Sequence, residues 1–308
     1  MLKSRGAAVI GAFVLIALAI FVRGLLVGDD EGSGPDGPKK PNGKAPVVAC
    51  TPDLIDVCDA LADQGFIAPK PPELDLDGAS KPPADLDGWI TWNPAPAIAN
   101  FDAEPPAWSD VEPMGAAPLA ALARGEVFGG MSSDCGQDVD WACFATDGPS
   151  WGLTYGVGEP STAEGLARLA VLAVALSPNL DRDAITSTDL RAFVDSPNIP
   201  QADASSMSLD VLQPGQVDLV IGPEDLLRDR AASSQGEAQG LQAGVLEPEI
   251  EATVVLATRT GADLGDLAAA CEDDAVADTL REVGVDPCEG EPDDALAGFL
   301  YAVRGKAS

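Results

Sequence analysis

The chain predicts an α/β protein with mostly parallel sheets, and three observations lead there. From residue 46 onward, short β-branched or aromatic segments alternate with segments whose apolar residues recur at helical spacing. The residues after 45 are too many for one small core and suit two lobes. Residues 6–22 form an uncharged apolar run behind Lys3 and Arg5, followed after a short interval by Asp29, Asp30 and Glu31. Basic residues before such a run and acidic ones after it predict a cytoplasmic N-terminus and an exported remainder.

Taken in order, the first element is that apolar run. A spanning helix needs roughly 20 apolar residues and at least about 17. Residues 6–22 meet the lower bound, and Arg23 can snorkel to the outer interface. A cleaved secretory signal is the competing reading, with Ala17, Leu18 and Ala19 as a small-x-small site. The uncleaved, single-pass anchor is preferred because apolar residues continue to Val27. Residues 29–45 are rich in Gly, Pro, Asp and Lys without apolar periodicity, which predicts a flexible linker. The expected location is the cell membrane, with the rest of the chain extracytoplasmic.

Composition excludes several functions. The net charge is -32, and six of the 18 basic residues precede Pro46, so the exported part is more acidic still. Such a surface repels nucleic acid and anionic lipid; solubility in a salty setting is its plain explanation. There is no histidine, which excludes Ser-His-Asp and Cys-His catalysis. No CxxC occurs, the acidic residues lack the alternation of a calcium loop, and neither metal nor cofactor is expected. The six cysteines fall into close pairs, Cys50 with Cys58, Cys135 with Cys143, and Cys271 with Cys288. An exported chain with an even count suggests disulfides, and closeness along the chain motivates this pairing among the alternatives.

Residues 46–49 read as a buried strand. Thr51, Pro52 and Asp53 are suited to cap and start a helix, and Leu54, Ile55, Cys58, Leu61 and Ala62 continue it. Residues 68–83 are Pro-rich and predict a surface loop. Residues 88–92 (GWITW) predict a strand, stopped by Asn93 and Pro94, with a short helix over 96–101. At least one of Trp89 and Trp92 is expected in the core. Residues 118–123 predict a strand entering a second lobe, and 128–149 a surface excursion holding one cysteine pair.

Residues 152–157 predict a strand and 163–176 a long apolar helix, with Ser161 or Thr162 as its cap. Helices are expected over 186–195 and 206–212. Residues 216–221 (QVDLVI) read as a buried strand stopped by Gly222 and Pro223, with a helix over 224–230. Residues 251–258 (EATVVLAT) are the last strand. Helices follow over 264–270, 274–283 and 294–303, the second of them ending at Gly284, where a left-handed cap belongs.

Three segments in this order resemble the type II periplasmic binding proteins, the solute-binding proteins of ABC importers, and within them the molybdate-binding-like branch. Residues 47–63 (VVACTPDLIDVCDALAD) are similar to that family's opening strand, ligand loop and first helix. Residues 155–170 (YGVGEPSTAEGLARLA) resemble its strand, turn and helix in the second lobe. Residues 209–227 (LDVLQPGQVDLVIGPEDLL) resemble the helix, strand and turn that follow. The resemblance implies two α/β lobes joined by crossing strands; the N-terminal transmembrane helix expected within residues 1–28 comes from the apolar run and is an unusual attachment for the family. Lobe 1 would be residues 46–117 and 245–308, and lobe 2 residues 118–244. The resemblance also implies a small-molecule or oxyanion ligand in the interlobe cleft and a membrane permease or other cell-envelope protein as partner. No enzymatic activity is expected, because the sequence has no histidine, no nucleophile elbow and no metal cluster.

Carried residue by residue, the resemblance implies ligand contacts from Cys50, Thr51 and Asn93 in lobe 1. In lobe 2 it implies Glu159, Ser161, Thr162, Pro223 and Glu224. Each is equally explained as a helix cap or turn former. Free backbone N–H groups at helix starts can hold an anion without a basic side chain. Two departures stand out: the family's second Ser-Gly loop is replaced by the Pro-rich residues 69–83, and Glu159 and Glu224 would repel an anion. A degenerate scaffold serving as a cell-surface interaction module is the alternative function.

Overall fold

The computed structural model describes residues 46–62, 86–100, 104–136, 139–141, 143, 147, 151–153, 155–156, 163–175 and 217–292. The expected anchor and linker, the Pro-rich loop, and the helices at 186–195, 206–212 and 294–303 lie outside the described residues. Among the described residues, no helix is long and apolar enough to cross a membrane.

β1 (Val48–Cys50) passes through a 3-10 turn, Pro52–Leu54, directly into α1 (Ile55–Ala62). β2 (Gly88–Trp92) is followed by α2 (Ala95–Asn100). β3 (Trp108–Arg124) runs 17 residues and leads into α3 (Gly125–Cys135). β4 (Tyr155–Gly156) precedes α4 (Ala163–Ala175), and β5 (Leu219–Pro223) precedes α5 (Glu224–Ala232). Next come α6 (Ser234–Ala238), β6 (Leu241–Val245) and β7 (Glu251–Arg259). A 3-10 helix (Gly265–Glu272), α7 (Asp274–Glu282) and β8 (Asp286–Pro287) complete the described elements.

Strand pairing shows one arrangement twice. The first sheet runs β1-β2-β7-β3, with β1 and β2 parallel and β7 antiparallel to both neighbours. The second runs β4-β5-β3-β6, with β4 and β5 parallel and β3 antiparallel to both neighbours. Among the described residues, and apart from the two-residue β8 that pairs antiparallel with β3, each therefore holds three parallel strands and one reversed strand in third place. The long β3 serves both: residues Trp108 to Pro118 pair with β7, and Leu119 to Ala123 pair with β5. Mostly parallel sheets were expected, and the sheets are mixed. The reason is that the reversed strand is internal, so it turns two of every three pairings antiparallel.

Several elements differ from expectation. β3 begins ten residues earlier than the strand expected at 118–123, because Pro113 and Gly115 are absorbed by a register shift instead of ending it. Gly222 and Pro223 lie inside β5 as its last residues, where a stop was expected. The region expected as an excursion begins with the helix α3, which its glycines concealed. The helix expected over 264–270 is a 3-10 helix. The end of α7 at Gly284 agrees: its φ is 75°, and Asp273 caps the start by accepting from the N–H groups of Ala275 and Val276.

The core is continuous across both sheets. Trp89, Ile90, Leu119, Ala121, Ala167, Leu172, Ile221 and Val254 belong to one buried cluster. The opposite face of the second sheet, with Ala120, Leu122 and Val220, packs beneath Leu227 of α5. Burial on both faces explains why residues 119–123 and 219–221 read as uninterrupted apolar runs. All three close cysteine pairs are disulfides: Cys50–Cys58, Cys135–Cys143 and Cys271–Cys288.

Candidate functional site

In α/β sheets the backbone groups free to meet a ligand lie where parallel strands end and helices begin. In the first sheet these corners follow β1 and β2. Cys50 ends β1, is fully buried, and has its sulfur committed to Cys58, so only its backbone remains for a ligand. Thr51 takes the N-cap position of the 3-10 turn, yet its side chain makes no capping bond. Its N–H donates to the Ile90 carbonyl at 3.1 Å, which ties the corner to β2.

Thr51 is 3% exposed. Among the described residues its Oγ1 has no hydrogen-bond partner, and the same is true of Thr91 Oγ1. Each threonine directly follows one member of the last pair of the parallel ladder, Cys50 with Ile90. An orphaned buried hydroxyl costs about 1–3 kcal/mol, and such a pair is the kind of feature a polar guest would satisfy. Trp92 Nε1 donates to Asp53 Oδ2, locking the end of β2 to the 3-10 turn that precedes α1. Asn93 is 3% exposed, and its N–H donates to the Thr253 carbonyl at 2.8 Å. Thr51 and Asn93 thus both sit at the carboxyl edge of the first sheet.

In the second sheet the corner is formed by Gly222 and Pro223 at the end of β5 and Glu224 at the start of α5. Glu224 forms an ion pair with Arg228 one turn along α5. Pro223 lies against the end of α7: a β-carbon built on Gly284 would fall 2.7 Å from Pro223 Cβ. The second-sheet corner therefore touches a helix that belongs, by strand order, with the first sheet. Glu159, Ser161 and Thr162 lie outside the described residues.

Two residues escaped the sequence reading. One is Thr91, hidden in a strand that looked wholly structural. The other is Arg168 on α4, which is fully buried. Its Nη2 donates to Glu164 four residues earlier, while Nε and Nη1 have no partner among the described residues. The guanidinium lies beside Gly222, whose built β-carbon would be 3.7 Å from Nη1. A signal was present: Arg168 is the lone basic residue in the apolar stretch 163–176 of a strongly acidic chain. α4 itself packs on β2, β7 and α2, so an element that follows β4 in the chain rests on the first sheet.

No protein-family model and no curated protein matches the chain. Among solved structures it is similar to a putative spermidine/putrescine ABC transporter from Listeria monocytogenes. That match has 11% identity and a TM-score of 0.46, covering 82% of this chain and 84% of the other. It is also similar to the periplasmic binding protein AfuA from Actinobacillus pleuropneumoniae with fructose-6-phosphate bound. There the identity is 13% and the TM-score 0.45, over 81% of this chain and 87% of that one. A mutant of OxyR from Corynebacterium glutamicum, bound to H2O2, gives 10% identity and a TM-score of 0.44, over 97% of this chain and 78% of that one. At these scores and identities no residue role carries over from them.

Proposed function

We propose that this protein is a membrane-anchored, extracytoplasmic solute-binding protein that captures a small polar ligand for transport or sensing. The ligand would lie between residues 46–117 with 245–308 on one side and residues 118–244 on the other. The observation that carries this reading is the twice-used strand order, with each sheet completed by a strand arriving from the other. β3, which pairs in both sheets, and the connection from β6 to β7 carry the chain between two α/β bodies and would make a natural hinge. The corners after β1, β2 and β5 would then frame the ligand, and Thr51 and Thr91 would offer hydroxyls that have no partner among the described residues.

The test uses the full chain in detergent, followed by its thermal midpoint while sugars, amino acids, polyamines, phosphate and carboxylates are titrated separately. A ligand at about 100 times its Kd stabilises by roughly 2.7 kcal/mol. For a chain of this size that is a rise of several degrees. Absence of a shift from every class would remove the reading.

One observation favours a second reading, in which the scaffold has become a surface interaction module. α4 packs directly on β2 and β7, and Cys50, Thr51 and Asn93 are closed to solvent. A sheet covered by the chain's own helix is what a scaffold without a guest would have. Under this reading no small molecule moves the midpoint, and enlarging Ala167 on α4 destabilises the fold by overpacking.

A further inference from the structure

We propose that Arg168 anchors an oxyanion group of the ligand, a carboxylate or a phosphate, at the carboxyl end of β5. This deepens the binding reading above and rests on it. Three observations converge. The guanidinium is fully buried, and among the described residues it uses only Nη2, toward Glu164, leaving Nε and Nη1 without acceptors. It lies against a glycine: Gly222 offers no side chain toward it, and the space a β-carbon would fill is bordered by Arg168 Nη1 at 3.7 Å and Leu227 Cδ1 at 3.8 Å. Finally, the place is a strand end that runs straight into the nine-residue helix α5, where ligands of α/β sheets gather.

A buried guanidinium with idle donors is a destabilised arrangement unless an acceptor completes it. Arginine cannot shed its proton to escape the problem, as a lysine would. Its planar donors match carboxylate and phosphate oxygens, and desolvation strengthens such charge-assisted bonds. Because the side chain is closed to solvent, the two halves must part for the guest to enter and close again over it. Glu164 offsets the charge of Arg168, and Glu224, which follows β5 and would otherwise repel an anion, is paired with Arg228, so the guest's charge is what the two idle donors meet.

The experiment compares wild type, Arg168→Met and Arg168→Lys, all as the full chain in detergent. Each is titrated with inorganic phosphate, sulfate, succinate and glutamate, and in separate arms with uncharged sugars and with spermidine. Midpoints and tryptophan emission are read together. The expected result is stabilisation of wild type by at least one oxyanion class. In Arg168→Met, which keeps a cooperative transition, the apparent affinity falls by ~10- to 100-fold; Arg168→Lys falls between the two. Response to succinate and glutamate alone marks a carboxylate ligand, and response to phosphate alone a phosphate ligand. The proposal is overturned if Arg168→Met binds oxyanions as wild type does, or if wild type answers only to sugars or spermidine. In that last case binding stands and the anion fails. Silence in every arm removes the binding reading itself.

Discussion

The two sheets share a strand order and differ in what they place at their carboxyl edges. The first presents neutral groups, Thr51, Thr91 and Asn93, on a frame stapled by Cys50–Cys58. The second presents a buried charge, Arg168, beside a glycine and a helix start. Neutral hydroxyls suit orientation of a guest, whereas a desolvated guanidinium suits selection by charge. A shared topology thus fixes where a site can form, and the residues at the corners decide what it recognises.

The largest test asks whether the two halves stand or fall together. Trp89 is fully buried in the first sheet, with its ring 5.6 Å from that of Trp108. Trp89→Ala should lower stability by about 3–5 kcal/mol in urea denaturation, through lost burial and the cavity left behind. Because one apolar cluster spans both sheets, the transition should stay single. Two resolved transitions would mean that the halves are energetically separate.

The second test probes the staples. Replacing both Cys271 and Cys288 by Ala removes a link across 17 residues that ties the 3-10 helix to β8, next to β3. Chain-entropy reasoning puts the loss at roughly 3 kcal/mol. A midpoint equal to wild type would show that β8 is held by packing alone.

Much of this contrast was legible in the sequence. GWITW and EATVVLAT announce β2 and β7 through β-branched and aromatic residues, and the cysteine spacing pointed to the pairs that form. The length of β3 was not legible, because prolines at 113 and 118 speak against a strand unless a register shift and a change of partner accommodate them. β6 was missed because Gln242 and Gly244 interrupt its apolar pattern. At the site, Thr51 and Asn93 were visible as corner residues. Thr91 and Arg168 were not, since their meaning lies in hydrogen bonds left unmade, and only the neighbours in space reveal those.

The third test separates the hydroxyls from their scaffold. Thr51→Val keeps the shape and removes an orphaned oxygen, so stability should hold or rise by about 1 kcal/mol. Affinity for any guest found in the titrations should fall. A loss of stability of about 2 kcal/mol or more would show that Thr51 is already satisfied and serves the fold only.

The smallest effect concerns the place where β3 changes partners. Glu251 pairs with Pro118 there, at the start of β7. Its pKa is raised, first by partial burial of its carboxyl, although the residue as a whole is exposed, and then by Glu249, Glu289, Glu291 and Asp286 nearby. A carboxyl whose folded pKa exceeds its unfolded value weakens the fold when ionised. The penalty is fully present above the folded pKa, shrinks as pH falls through it, and is gone below the unfolded value near 4.5. Glu251→Gln should therefore melt at a higher temperature than wild type at pH 7.5, with the gap closing as the pH approaches 4. Added salt should narrow the gap at pH 7.5, because part of the repulsion acts through solvent. A gap independent of both pH and salt would assign the effect to packing at the crossover. A gap of opposite sign would mean that the acidic cluster holds a cation or a partner that the ionised carboxylate helps to bind.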